Sequence, residues 1–266
     1  MHPLDAALRL EAVGDDAVRG RTSADWANMV GPFGGITAAV LLRAVEQHPK
    51  RQGEPLTLTV NYLAPIADGG FDISLRIVRT NRTNQHWLVE LAQGGEVKTT
   101  ASAVFAVRRD AWSDTETERP VVPEPGDVAS GDMHDVVVWT KNYDMRFVAG
   151  GMPAADAGPA PSSRTTLWIR DNPLRAIDFT ALTALCDVFY PRVFLRRGHF
   201  VPAGTISMTV YFHADGEQLA TQGDDFVLAS AVANRFSRGY FDQSAQLWGR
   251  GGALLASTHQ IVYYKS

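Results

Sequence analysis

Three polar residues stand where the neighbouring sequence is apolar, small or β-forming. Asp187 lies among Leu182, Leu185, Cys186, Val188 and Phe189, nine positions after Asp178. Asp178 suits the N-cap of a helix over Phe179 to Tyr190, which Pro191 would stop. If that helix is the buried centre of a domain, an unpaired carboxylate in it costs several kcal/mol, and the fold must compensate it or use it. The plainer alternative is a solvated carboxylate at the helix edge. Gln260 lies in a segment whose alternation puts Ala256, Thr258, Gln260 and Val262 on one face and Leu255, Ser257, His259 and Ile261 on the other. A primary amide thus shares a face with small and apolar groups, either as a functional group or as a satisfied polar residue near a sheet edge. Thr205 opens an earlier strand-like run, where it presents a hydroxyl or simply serves as a good β-former. A carboxylate, an amide and a hydroxyl together offer proton transfer and hydrogen bonding.

Other chemistries find no support in the sequence. It contains no G-x-S-x-G elbow, H-E-x-x-H or Walker A motif, and Gly249-x-Gly251 lacks the third glycine of a dinucleotide fingerprint. No two of the seven histidines have the i, i+4 spacing of a helical metal pair, so no metal and no cofactor is expected. Cys186 is the only cysteine, which excludes an intrachain disulfide and fits a reducing cytoplasm. The chain has 266 residues, is 45% hydrophobic and 20% charged, and carries a formal net charge of −4, as in ordinary globular proteins. No Lys/Arg run is long enough to track nucleic-acid phosphates, so nucleic acid is not an expected partner. The most apolar segment, Ile36 to Val45, is too short to span a bilayer, and the N-terminus has no signal-peptide pattern. A cytoplasmic protein without membrane insertion is expected.

The elements that must position the three residues come in two similar sets. In the first, Pro32-Phe33-Gly34-Gly35 opens an apolar helix to Val45, followed by strand-like runs Leu56 to Leu63, Phe71 to Arg79, Trp87 to Ala92 and Thr99 to Val107. In the second, the helix after Asp178 is followed by Thr205 to Phe212, Phe226 to Ala233, Tyr240 to Trp248 and Ala253 to Tyr263. Leu58-Thr59-Val60-Asn61-Tyr62 matches Met208-Thr209-Val210-Tyr211-Phe212 at an offset of 150, and Thr100-Ala101-Ser102-Ala103 matches Leu255-Ala256-Ser257-Thr258 at 155. On the second offset Gln260 corresponds to Phe105, so the polar site exists once. The first helix bears one charge, Arg43, and a helix apolar nearly all round is a buried one. A buried helix wrapped by an antiparallel sheet, made twice, is an α+β double hotdog. The expected organisation is an N-terminal hotdog repeat at 1–110, an acidic proline-bearing linker at 111–135, extended and solvated, and a C-terminal repeat at 136–266 carrying the site.

Four motifs in order resemble the acyl-CoA thioesterase II family. They are Phe33-Gly34-Gly35, Trp168-Ile169-Arg170-Asp171-Asn172, Ser237-Arg238-Gly239-Tyr240 and Ala256-Ser257-Thr258-His259-Gln260. The resemblance covers about residues 25 to 110 and 140 to 264. It implies a double hotdog that hydrolyses medium- to long-chain acyl-CoA, with a water held by Asp187, Thr205 and Gln260. In that scheme Asp187 is the general base, and the N-terminus of the Gly34-Gly35 helix meets the oxyanion. Departures stand at Ile36, where the family usually has Gln, at Thr59, where it often has His, and at Ala214-Asp215-Gly216. These positions are expected to line the acyl or pantetheine path. Phe33, Gly34 and Gly35 are expected to bind substrate, and Arg196 and Arg197 either meet CoA phosphates or form a solvated basic cluster. The Gly/Ala/Pro-rich stretch 150–163 is a lid or a surface hairpin. Assembly into a homo-oligomer, a dimer of double hotdogs or higher, is expected. The alternatives are a non-catalytic acyl-thioester binding scaffold and an enoyl-thioester hydratase or dehydratase. The latter needs a His five residues after the Asp, where this chain has Arg192.

Overall fold

The computed structural model describes residues 1–131, 137–154 and 157–265. Asp132 and Asp135 of the acidic stretch, and residues 155–156 of the 150–163 loop, lie outside them. The first half runs α1 (Pro3–Ala7), β1 (Glu11–Gly14), β2 (Ala17–Arg21), α2 (Gly34–Glu46), β3 (Glu54–Tyr62), β4 (Gly70–Thr80), β5 (Asn84–Gln93) and β6 (Glu96–Ala106). The second begins with β7 (Tyr143–Ala149), β8 (Thr165–Asp171), α3 (Phe179–Leu185) and α4 (Arg192–Arg197). It continues with β9 (Ala203–Phe212), α5 (Gly216–Gln222), β10 (Val227–Val232), β11 (Phe236–Ser237), β12 (Tyr240–Trp248) and β13 (Leu254–Tyr264). All named strands except β11 form one continuous path in the order β1-β2-β4-β5-β6-β3-β9-β13-β12-β10-β8-β7, with every pairing antiparallel.

The two halves join at β3 and β9. Thr59 stands opposite Thr209 and the two hydroxyls are 3.0 Å apart, so residues equivalent at the offset of 150 face each other across a local two-fold axis. Strand register corrects the second offset. Thr59 pairs with Ser102 and Thr209 with His259, which makes Ser102 equivalent to His259 at an offset of 157. The counterpart of Gln260 is therefore Ala103, not Phe105. Both seams carry the same bulge, with Leu56 skipped in one ladder and Ile206 in the other. Thr59 alternates with the buried Leu58 and Val60 and so points to the outer face, which removes it from any interior path.

Helix α2 forms as expected, and ten of its thirteen residues are buried. Helix α3 is shorter than its apolar run suggested and ends at Leu185, not Tyr190. Val188, Phe189 and Tyr190 are β-branched or aromatic, and Tyr190 precedes a proline that disfavours helical backbone before it. Asp187 therefore lies in the turn after the helix. The acidic stretch is also less solvated than expected. Trp112 is exposed, but Val122 and Val128 pack on the Trp168, Phe226 and Trp248 cluster, and the Trp168 indole donates to the Pro123 carbonyl at 2.9 Å.

Candidate active site

The turn after α3 aims Asp187 at the N-terminus of α2, across the contact between the two helices. That contact is tight because α2 begins with two glycines. A Cβ on Gly35 would lie 2.6 Å from the Ala184 carbonyl, and one on Gly34 would lie 2.7 Å from Asp187 Oδ2. No side chain of its own segment caps α2. Its first N–H groups therefore have no partner from their own segment at the positive end of the helix dipole, and the Gly35 N–H donates to the Asp187 carboxylate, whose charged form it favours.

Gln260 reaches the same point from β13. Its Nε2 donates to Asp187 Oδ1 at 2.9 Å, and its Oε1 accepts from Thr205 Oγ1 at 3.2 Å. The same Nε2 lies 3.4 Å from Met208 Sδ. The bulge at Ile206 matters here, because it brings Thr205 rather than Ile206 opposite Val262 and hence to the side of Gln260. The structure thus brings together all three residues singled out from the sequence. Asp187 keeps some solvent exposure, yet the packed groups around it desolvate it and lift its carboxyl to about 7, against the smaller opposing effects of Gln260 and Gly35.

Two tyrosines escaped the sequence reading. The Tyr62 hydroxyl donates to the Gly34 carbonyl at 2.9 Å, and its own pKa is pushed well up by burial and by Asp187. Tyr143 is 3% exposed with an unpartnered hydroxyl, and burial together with Asp171 and Asp187 raises it likewise. Tyr62 ends an alternating strand on its buried face, which is the one signal that pointed inward. Tyr143 carried none.

The remaining candidates form no hydrogen bond with the three residues. Phe33 is 2% exposed and stacks on Trp139 at 4.1 Å between centroids, so it holds the start of α2 in an aromatic cluster. Ile36 lines a small apolar cavity with Trp26, Val40, Ile66 and Phe71. Arg196 and Arg197 close the last turn of α4, where cations complement the helix dipole, and Arg196 donates to the Ala160 carbonyl. Neither bonds to Asp187, Thr205 or Gln260. Arg192 is fully buried and donates to the Tyr190 and Ser163 carbonyls and to Thr165 Oγ1, so it is a staple and not a proton donor. Tyr190 and Arg192 pin the two ends of the 150–163 loop, through Gly150, Gly151 and Ser163. Among the described residues no cluster of His, Cys, Asp and Glu fits a metal ion, and no helix is long and apolar enough to cross a membrane.

Two helix-centred repeats sharing one antiparallel sheet, with Asp187, Gln260 and Thr205 gathered at the start of α2, define a double hotdog protein. The chain belongs to the acyl-CoA thioesterase family. Residues 22–106 match the acyl-CoA thioesterase N-terminal domain, and residues 114–264 match the acyl-CoA thioesterase C-terminal domain. A conserved hotdog-fold protein of unknown function from Alicyclobacillus acidocaldarius is 44% identical over 100% of this chain and 99% of its own, with a TM-score of 0.95. The fold also matches the tesB protein of Mycobacterium avium subsp. paratuberculosis, at 18% identity, 99% and 98% coverage and a TM-score of 0.81. The acyl-CoA thioesterase II TesB2 of Mycobacterium marinum is 18% identical, with 98% coverage of each chain and a TM-score of 0.77. No curated protein matches the chain.

Proposed function

We propose that this protein hydrolyses acyl-CoA thioesters of medium to long chain to the free acid and CoA. The observation that carries the reading is the convergence of Asp187, Gln260 and Thr205 at the uncapped start of α2. Asp187, lifted to about 7, is a carboxylate whose basicity suits proton abstraction near neutral pH. Gln260 fixes its orientation, and Thr205 fixes that of Gln260. A water bound to Asp187 gives up a proton to it as the water oxygen attacks the thioester carbonyl carbon. Charge developing on the carbonyl oxygen meets the first N–H groups of α2, where glycine permits close approach. The tetrahedral intermediate collapses, the C–S bond breaks, and the leaving thiolate takes the proton back from Asp187. Atoms and charge balance with no cofactor.

One observation favours the non-catalytic reading, in which the same cluster binds acyl thioesters as a scaffold. Asp187 stands where α2 lacks a cap of its own, and a carboxylate at a helix N-terminus is stabilising in itself. A thiol-reactive dye decides between them. Hydrolysis releases free CoA from a panel of acyl-CoAs and Asp187→Asn abolishes the release. A scaffold instead shows a raised Tm with acyl-CoA and no thiol.

A further inference from the structure

Because the repeats are related by register, each residue on the inner face of one sheet half has a counterpart in the other. With Ala103 matching Gln260, the pairs Trp87 with Ala103 and Gln243 with Gln260 make Trp87 the counterpart of Gln243. In the same way Val89 matches Ala245 and Ala101 matches Thr258. One strand further out, Leu75 matches Ala231 and Ile73 matches Ala229. All of these residues are buried. The first repeat lines this wall with Trp87, Val89, Leu75 and Ile73, and the second lines it with Gln243 and three alanines.

The wall of the second repeat is thus recessed and polar beside Asp187. Gln243 is 2% exposed, and none of the side-chain hydrogen bonds among the described residues engages its amide, which is not among the fully enclosed unpartnered atoms and so is reachable by a ligand. Thr258, 4% exposed and two residues before Gln260 on the same face, has a buried hydroxyl without a partner. Leaving the Thr258 hydroxyl unsatisfied costs about 1–3 kcal/mol, whereas the apolar residues of the first repeat show that the fold can do without polar groups here. Gln243 sits directly across from Gln260, with Cβ atoms about 5 Å apart. It lies on the side away from β9 and from α2, which belongs to the first repeat. That flank faces neither the base nor the oxyanion position, and it is the one left for the acyl group.

Resting on the thioesterase reading above, we propose that Gln243, assisted by Thr258, is a specificity-determining residue. It hydrogen-bonds an oxygen carried by the acyl group close to the thioester, so that the protein selects hydroxyacyl or oxoacyl thioesters over saturated ones of the same length. A site built to pair a substrate oxygen rejects the analogue that lacks it, because its own buried groups are then left unpaired.

The test measures kcat/KM by thiol release on saturated, 3-hydroxy and 3-oxo acyl-CoAs of one chain length, for the wild type and for Gln243→Leu and Gln243→Met. The expected result is a wild-type preference for an oxygenated substrate of about tenfold or more, erased or reversed in either variant while turnover of the saturated substrate is kept or raised. A wild-type ratio at or below one overturns the proposal even if neither variant folds, as does a variant that slows all substrates equally. Thiol release from none of them overturns the thioesterase reading, and the proposal with it.

Discussion

Asp187→Asn separates the chemistry of the carboxylate from its energetics. The substitution keeps an Oδ1 to accept from Gln260 Nε2 and removes only the ionisable group. Folding lifts this carboxyl from 3.8 to about 7, so between those values the folded chain holds a proton that the unfolded chain has released. The contribution of Asp187 to stability therefore falls as pH rises from about 4 to about 7 and is flat on either side. At about 1.4 kcal/mol per unit the full penalty is at most about 4 kcal/mol, and solvent reaching the half-buried carboxylate brings it to about 2–4 kcal/mol. Asparagine carries no such penalty. The variant is expected to be more stable than the wild type, with the advantage growing by about 2 kcal/mol between pH 5 and pH 8, or about 5 °C in Tm. Asp171 and Glu46, also lifted to about 7 by burial, contribute equally to both proteins and cancel. Thiol release by the wild type is expected to fall as pH drops below about 7, where the base is protonated, and to be lost in the variant at every pH. Paired thermal melts at pH 5 and pH 8 check the first expectation and a pH–rate profile the second. An equal Tm difference at both pH values would refute the claim that a buried charge is being relieved. Wild-type turnover in the variant would remove Asp187 as the base.

The two glycines of α2 are expected to respond in opposite ways. Gly34→Ala meets the Asp187 carboxylate closely and Tyr62 only at ordinary contact distance, so Tm holds or rises while thiol release collapses, whereas Gly35→Ala meets the Ala184 carbonyl and the Phe33 ring and lowers stability by about 2 kcal/mol despite better helix propensity. Thr205→Val keeps the shape of the side chain and removes the hydroxyl that fixes Gln260, so kcat is expected to drop about tenfold or more with KM little changed; a change confined to KM would move Thr205 to binding. Trp168→Phe removes the donor to Pro123, and limited proteolysis between residues 112 and 128 is expected to quicken; an unchanged cleavage rate would mean that the segment docks by its other contacts.

The parts of this molecule that were legible in its sequence are those written as local pattern. Alternation placed Gln260 on a face with small and apolar groups, which the structure buries, an apolar run made α2 a buried helix, and a direct match at an offset of 150 gave the pair of residues on the local two-fold axis. What was not legible depends on how strands slide past one another. A match of four small residues put the second offset at 155, and pairing across β3, β6, β9 and β13 makes it 157. Small residues fit either register, so the sequence had nothing to penalise the wrong one. The bulge is the deeper case. Because both repeats skip the same position, Leu56 and Ile206, the irregularity is a property of the duplicated fold and not of the site. In the first repeat it sets Pro55, which can donate no hydrogen bond through its side chain, opposite Phe105; in the second it sets Thr205 opposite Val262, within reach of Gln260. The same backbone defect thus supplies an inert corner once and a hydroxyl once, and the division between the halves rests on side-chain identity at positions the backbone had already aimed.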